Sequence, residues 1–173
     1  PHQHKVVIAG NHDWCFARDE ERPGAEELLR SAATYLFDEA VTIEGLLFYG
    51  SPWQPWFLDW AFNLRRGPEL AAKWAQIPDN TDILLTHGPP ARIGDRCFDE
   101  RRVGCEDLLA RIAEVQPLLH VFGHIHEASG VFREGDITYV NASCLDVAAG
   151  PAVIDIDPAA RRVLGAERLP PAP

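Results

Sequence analysis

A chain of 173 residues with 46% hydrophobic content is of ordinary single-domain size and can bury a core without disulfides or a structural metal. Its formal net charge of -10 argues against a nucleic-acid polymer or an anionic membrane as partner, so a phosphate-bearing ligand would need a local cation to overcome that field. Four dispersed cysteines, Cys15, Cys97, Cys105 and Cys144, form no CxxC pair and read as reduced core or near-core thiols.

No stretch approaches the roughly 18 apolar residues of a membrane span and no signal-peptide pattern opens the chain, which makes the cytoplasm the default expectation. The chain starts at Pro1 and contains no methionine, as expected of a fragment or of a frame whose start was assigned late.

The β-branched run Lys5–Ala9 ends in a Gly-Asn turn and predicts a buried strand that delivers Gly10-Asn11-His12-Asp13 on a loop. From Pro23 to about Phe37 the apolar spacing is helical, with acidic residues in the first turn. Val41–Ile43 and Leu46–Tyr49 flank Glu44-Gly45 and predict a hairpin. The proline- and aromatic-rich stretch Gly50–Phe57 reads as neither helix nor interior strand, and so as a candidate pocket wall.

A helix from Pro68 to about Gln76 precedes the strand Asp82–Thr86, which runs into His87-Gly88-Pro89-Pro90. A second helix, Gly104 to about Val115, leads to the strand Leu118–Phe122 and then Gly123-His124-Ile125-His126. The rest, Gly130–Phe132, Ile137–Asn141, Ala152–Ile156 and Val163–Leu169, predicts antiparallel strands of a second sheet, with Asp157-Pro158 turning the last hairpin. The expectation is one α/β layered domain over residues 1–169 and a flexible tail at 170–173.

Function in open α/β sheets gathers at the carboxyl ends of strands, and three such ends here carry Asn11 and His12, then His87, then His124 and His126. Imidazoles and an amide oxygen suit divalent transition metals such as Mn, Fe, Ni or Zn. Taken singly, a histidine at a strand end is more often a structural loop residue, and His120, inside its strand, is read that way. Asn11 alone would equally be a turn residue that tolerates positive φ.

The motifs GNHD (Gly10–Asp13), HGPP (His87–Pro90) and GHIH (Gly123–His126), in this order, resemble those of the calcineurin-like metallophosphoesterases. The strings HKVVIAGNHD, GSPWQPWF, DILLTHGPP and HVFGHIHE are similar, more narrowly, to the branch named for the metallophosphoesterase-domain proteins of brain, which has bacterial members. The resemblance spans about His4 to Asp146. It implies a layered sandwich of two β-sheets flanked by helices, and hydrolysis of phosphate esters by a two-metal site.

Carried over residue by residue, the resemblance implies that Asn11, His87 and His124 hold one metal and that His126 helps hold the second. It makes His12 the general acid and Asp13 the carboxylate that orients the His12 imidazole. The family's opening Asp-x-His and Gly-Asp motifs have no counterpart before Gly10, which implies missing first strands and a half-built site holding one metal or none. The implied substrate is a small phosphodiester or nucleotide, a cyclic nucleotide included. The alternative is a nucleotide- or phosphate-binding module without turnover. Trp53 and Trp56, with Phe57 and Trp60, could stack a base, although an aromatic cluster beside proline also fits local packing; Asn141 and Ser143 could line the same pocket.

Overall fold

Two short apolar runs, ILLT and LHVF, become neighbouring parallel strands at the centre of the molecule, and the remaining elements are arranged around them. A computed structural model describes residues 2–144 and 150–170. In chain order the elements are β1 (Val6–Val7), α1 (Trp14–Ala17), α2 (Arg22–Arg30), β2 (Thr34–Tyr35), β3 (Glu39–Ile43), β4 (Leu46–Ser51), β5 (Gln54–Pro55) and β6 (Asn63–Leu64). There follow α3 (Pro68–Trp74), β7 (Ile83–Thr86), α4 (Glu106–Val115), β8 (Leu119–Phe122), a 3-10 turn at His126–Ala128, β9 (Gly130–Glu134), β10 (Ile137–Asn141), β11 (Ala152–Asp157) and β12 (Arg162–Arg168).

The main sheet has six strands in the order β3-β4-β7-β8-β10-β9, with β4, β7, β8 and β10 parallel and the two edge strands antiparallel to their neighbours. The β3–β4 hairpin turns at Glu44 and Gly45, whose φ angles of 51° and 81° give the doubly positive turn that matches strand twist. On one face of the sheet, Tyr49, Leu84, Phe122 and Tyr139 meet Leu70 and Trp74 of α3 and Leu108 and Ile112 of α4. On the other, Ile83, Leu119 and Val140 meet Ile154, Ile156 and Val163 from the β11–β12 hairpin. Alternation along each strand thus supplies both layers with core residues.

Helix α4 starts at Glu106, two residues after the expected Gly104, because Cys105 caps it: the Leu108 N–H donates to its Sγ at 3.4 Å, and Glu106 and Asp107 occupy the first turn. It ends at Gln116, whose φ of 52° breaks the repeat.

The structure corrects several sequence expectations. The helix expected to reach Phe37 stops at Arg30, and Thr34–Tyr35 instead pairs in parallel with Val6–Val7 as a separate two-stranded sheet. Tyr35 is fully buried there, and burial decides over helical spacing. Gly50 and Ser51, expected outside any strand, extend β4 and pair with Leu85 and Thr86. Gly50 can occupy this crowded position because a Cβ there would lie 2.5 Å from Leu36 Cβ and 2.7 Å from Ile8 Cγ2.

The four last strands do not form one second sheet. β10 is buried along its whole length and inserts beside β8 in the main sheet, carrying β9 with it, and only β11–β12 stands apart. Of the cysteines, all free, Cys105 is buried and Cys97 half-buried, but Cys15 and Cys144 are exposed rather than near-core. Among the described residues no helix is long and apolar enough to cross a membrane. Asp146, at the far end of the motif resemblance, and 171–173 of the expected tail lie outside the described residues.

Candidate metal site

One cleft gathers the ends of four strands: Asn11 and His12 after β1, His87 after β7, Gly123, His124 and His126 after β8, and Ser143 and Cys144 after β10. Backbone bonds lock these loops to one another. The Gly123 N–H donates to the His87 carbonyl at 3.0 Å, the Ala142 N–H to the Phe122 carbonyl at 2.7 Å, and the Ala61 N–H to the Asn11 carbonyl at 3.1 Å.

At the centre of the cleft, His87 Nε2 lies 2.7 Å from Asn11 Oδ1 and 3.1 Å from His124 Nδ1, with the two imidazoles edge to face at 4.7 Å. A neutral imidazole nitrogen carries either one proton or one lone pair, so these contacts cannot both be full hydrogen bonds. A divalent transition metal holds nitrogen ligands at about 2.1 Å, which at right-angled or tetrahedral ligation sets neighbouring donors about 3 to 3.4 Å apart. The observed spacings are close to that, so donor type and separation both fit a cation.

Burial drives the His87 pKa down to about 3, with His124, His12 and His126 adding to the effect. Burial likewise lowers His124 to about 4, with His126 and then His12 contributing. Both rings are therefore neutral near pH 7. His124 also has a φ of 70°, a left-handed conformation that a histidine adopts at a cost and that glycine would adopt freely. Gly10 permits the close approach of His87: a Cβ on it would sit 2.6 Å from His87 Nδ1.

His12 is exposed at the mouth of the cleft and packs on Trp60, ring centroids 5.2 Å apart, while Trp60 also meets His124 edge-on at 5.8 Å. Trp60 thus bridges the two histidines. Sequence reading grouped it with three other aromatics without distinguishing it, since nothing in the local pattern separates a ring facing the cleft from one facing the core. His126 is exposed on the 3-10 turn and lines the same cleft.

Three expected roles are not the ones seen. The Asp13 carboxylate accepts from the Gly10 N–H at 2.7 Å and so closes the GNHD turn, making no bond to His12. Trp53, expected to face substrate, packs between two cores, donates from Nε1 to Asp38 at 2.8 Å and lies under the Lys73 ammonium. Asn141 is fully buried and holds the loops: its amide donates to the Ile125 and Gly94 carbonyls, and its oxygen accepts from the Ser143 N–H. Both amide hydrogens of Asn141 are thus committed, and the residue is fully buried, so it offers a ligand no donor.

Ser143 does line the cleft, and its buried Oγ has no partner among the described residues. Trp56 is exposed at the rim of an adjoining cleft that shares His124. His120 is buried in the core and bonds Thr86 Oγ1 at 2.7 Å, the structural role expected for it. Among the described residues, no group of three or more His, Cys, Asp or Glu side chains is arranged to hold a metal, so the third donor beside the two histidines is the Asn11 amide.

The model of the calcineurin-like phosphoesterase family matches residues 1–128. The human protein named metallophosphoesterase domain-containing protein 1 is 44% identical over 182 residues, covering 90% of this chain and 56% of the human one. A UPF0046 protein of Caenorhabditis elegans is 40% identical over 154 residues, covering 83% of this chain and 52% of its own. The chain therefore spans about half the length of these relatives. A solved structure superposes with a TM-score of 0.65 at 16% identity, over 94% of this chain and 65% of the other, a likeness of fold.

Proposed function

This chain belongs to the calcineurin-like phosphoesterase family, and from that premise we propose that it hydrolyses a small phosphodiester, with cyclic nucleotides among its candidate substrates. The observation that carries the reading is the convergence of Asn11 Oδ1 and His124 Nδ1 on His87 Nε2, three donor atoms brought together from three separate loops.

Asn11, His87 and His124 would hold one divalent cation, and His126 would contribute to a second, with Mn, Fe, Ni and Zn as candidates by donor type. A bound cation supplies Lewis acidity toward phosphoryl oxygen and toward water. The protein's own part starts with Ser143, which lines the cleft with a buried Oγ that has no partner among the described residues, a hydroxyl that would have to turn outward to donate to a phosphate oxygen there. His12 stands at the cleft mouth with its ring steadied by Trp60 and carries the proton that the leaving oxygen requires. Asp13 acts one step back: by holding the Gly10 N–H it fixes the turn from which Asn11 and His12 project.

The second reading, a phosphate-binding module without turnover, is favoured by one observation. The described residues supply donors for a single cation and no further cluster of His, Cys, Asp or Glu. Metal content per folded chain after purification in Mn²⁺, with His124→Ala and His126→Ala beside it, separates the two. Two metals with phosphodiester hydrolysis that drops sharply in His12→Ala support the hydrolase. One metal, lost in His124→Ala and kept in His126→Ala, without hydrolysis, supports the binding module. Hydrolysis unchanged in His12→Ala would remove the proposed proton donor.

A further inference from the structure

Beside the candidate metal site, and sharing His124 with it, lies a more enclosed cleft of about 170 Å³. Its lining includes two aromatic residues, Trp56 and Phe57, the apolar Pro89 and Ile125, and two arginines, Arg66 and Arg101. The two arginines differ. Arg101 is paired with Asp99. Arg66 is held by two backbone oxygens, donating to the Gly104 carbonyl and to the Val103 carbonyl, each at 2.7 Å, and no described carboxylate lies within 4 Å of it.

Neutral carbonyls fix the position of a guanidinium without cancelling its charge. Arg66 keeps Nε–H and one N–H on each terminal nitrogen for another acceptor. In a chain with a formal net charge of -10, a positioned and uncompensated cation beside two aromatic faces is a selective feature. Trp56 and Phe57 are 61% and 48% exposed, and the Phe57 ring is braced by Trp60 at 5.3 Å, so both residues keep surface for an incoming ring. We propose that this cleft seats the organic group of the phosphoester and selects a flat aromatic ring bearing a second anionic group, the ring lying against Trp56 and Phe57 and the anion meeting Arg66. The assignment rests on the phosphoester reading of the neighbouring site, since His124 joins the two clefts.

The test is binding of three non-hydrolysable probes to the full chain in Mn²⁺ by calorimetry: methylphosphonate, phenylphosphonate and 4-carboxyphenylphosphonate. Phenyl should bind on the order of fivefold tighter than methyl, from stacking. The carboxylate should add roughly another tenfold from a charge-assisted bond to guanidinium. Arg66→Gln should abolish the carboxylate gain and keep the phenyl-to-methyl ratio, while Arg66→Lys, which keeps the charge, should keep part of the gain. Trp56→Ala, at an exposed position that leaves folding intact, should remove the phenyl gain.

His87→Ala separates this inference from the metal reading. It should weaken all three probes alike and preserve their ratios. If it leaves all three unchanged while the ratios persist, the metal reading fails and the cleft stands. Equal binding of the three probes to the wild-type chain, or a carboxylate gain that survives Arg66→Gln, overturns the inference.

Discussion

At the scale of single residues, the site depends on two backbone conditions that its ligands do not themselves reveal. Gly10 leaves room for His87, and Gly10→Ala would place a methyl 2.6 Å from His87 Nδ1 and 2.7 Å from Cε1, forcing the ring off its present line to Asn11 and His124. The expected outcome, read by titrating Mn²⁺ into the folded variant, is at least a roughly tenfold loss of affinity, the scale on which misoriented ligands act. Unaltered affinity would show that His87 does not bind the ion from this position. His124, at a φ of 70°, carries backbone strain of about 1 kcal/mol that alanine shares and glycine relieves. His124→Ala and His124→Gly should both lose metal, yet the glycine variant should be the more stable of the two by about 1 kcal/mol in urea denaturation. The residue types of the site are legible in the sequence because the three motifs announce them. What Asp13 and Asn141 bond to is not, because a carboxylate or amide in a loop finds its partner only once the loops have met.

At the scale of elements, the legible parts are those whose signal is local. The β3–β4 hairpin is written in alternating strands around Glu44-Gly45, and β7 and β8 in apolar runs ending at histidines. The choice of β10 as neighbour of β8 is not written locally, since its pairing Thr138↔Leu119 through Asn141↔Phe122 depends on which sheet face has room. The same holds for Asp82, which reads only as the first residue of a strand. Its buried carboxylate accepts from the Leu47 N–H at 2.8 Å and pairs with Arg161 at the β11–β12 turn, while its carbonyl accepts from the Leu118 and Leu119 N–H groups. One side chain thus ties β4 and the β11–β12 hairpin to the start of β7. Asp82→Ala strands a buried N–H and a guanidinium and should cost about 3 kcal/mol. Arg161→Ala removes a half-exposed partner and leaves the Leu47 bond, so about 1 kcal/mol is expected. Equal losses from the two in denaturant melts would mean that the Leu47 bond contributes nothing.

At the scale of the whole molecule, folding confines three imidazoles in their neutral form. Burial lowers His120 to about 3, and burial with neighbouring histidines lowers His87 to about 3 and His124 to about 4, from an ordinary value of 6.5. The sign follows directly. Between about pH 6.5 and pH 4 the unfolded chain binds protons at these positions and the folded chain does not, so their full stabilising effect is present above 6.5 and is lost as pH falls. Each group contributes a slope of about 1.4 kcal/mol per pH unit in the middle of that window. His120 isolates one share of it, because it lies away from the cleft and its tautomer is determined. Thr86 Oγ–H donates to the Gly88 carbonyl at 2.8 Å, so His120 Nε2–H must donate to Thr86, leaving Nδ1 buried and unpartnered. A proton added at Nδ1 would find no acceptor among the described residues, so protonation is disfavoured while the core stays closed. His120→Leu keeps the Thr86–Gly88 bond and removes the titrating group. In metal-free urea melts from pH 7.5 to 4, the wild-type chain should lose stability steeply below 6.5, and the variant should lose about 1.4 kcal/mol less per pH unit. Parallel curves for the two would mean that His120 takes up its proton as readily in the native fold as in the unfolded chain.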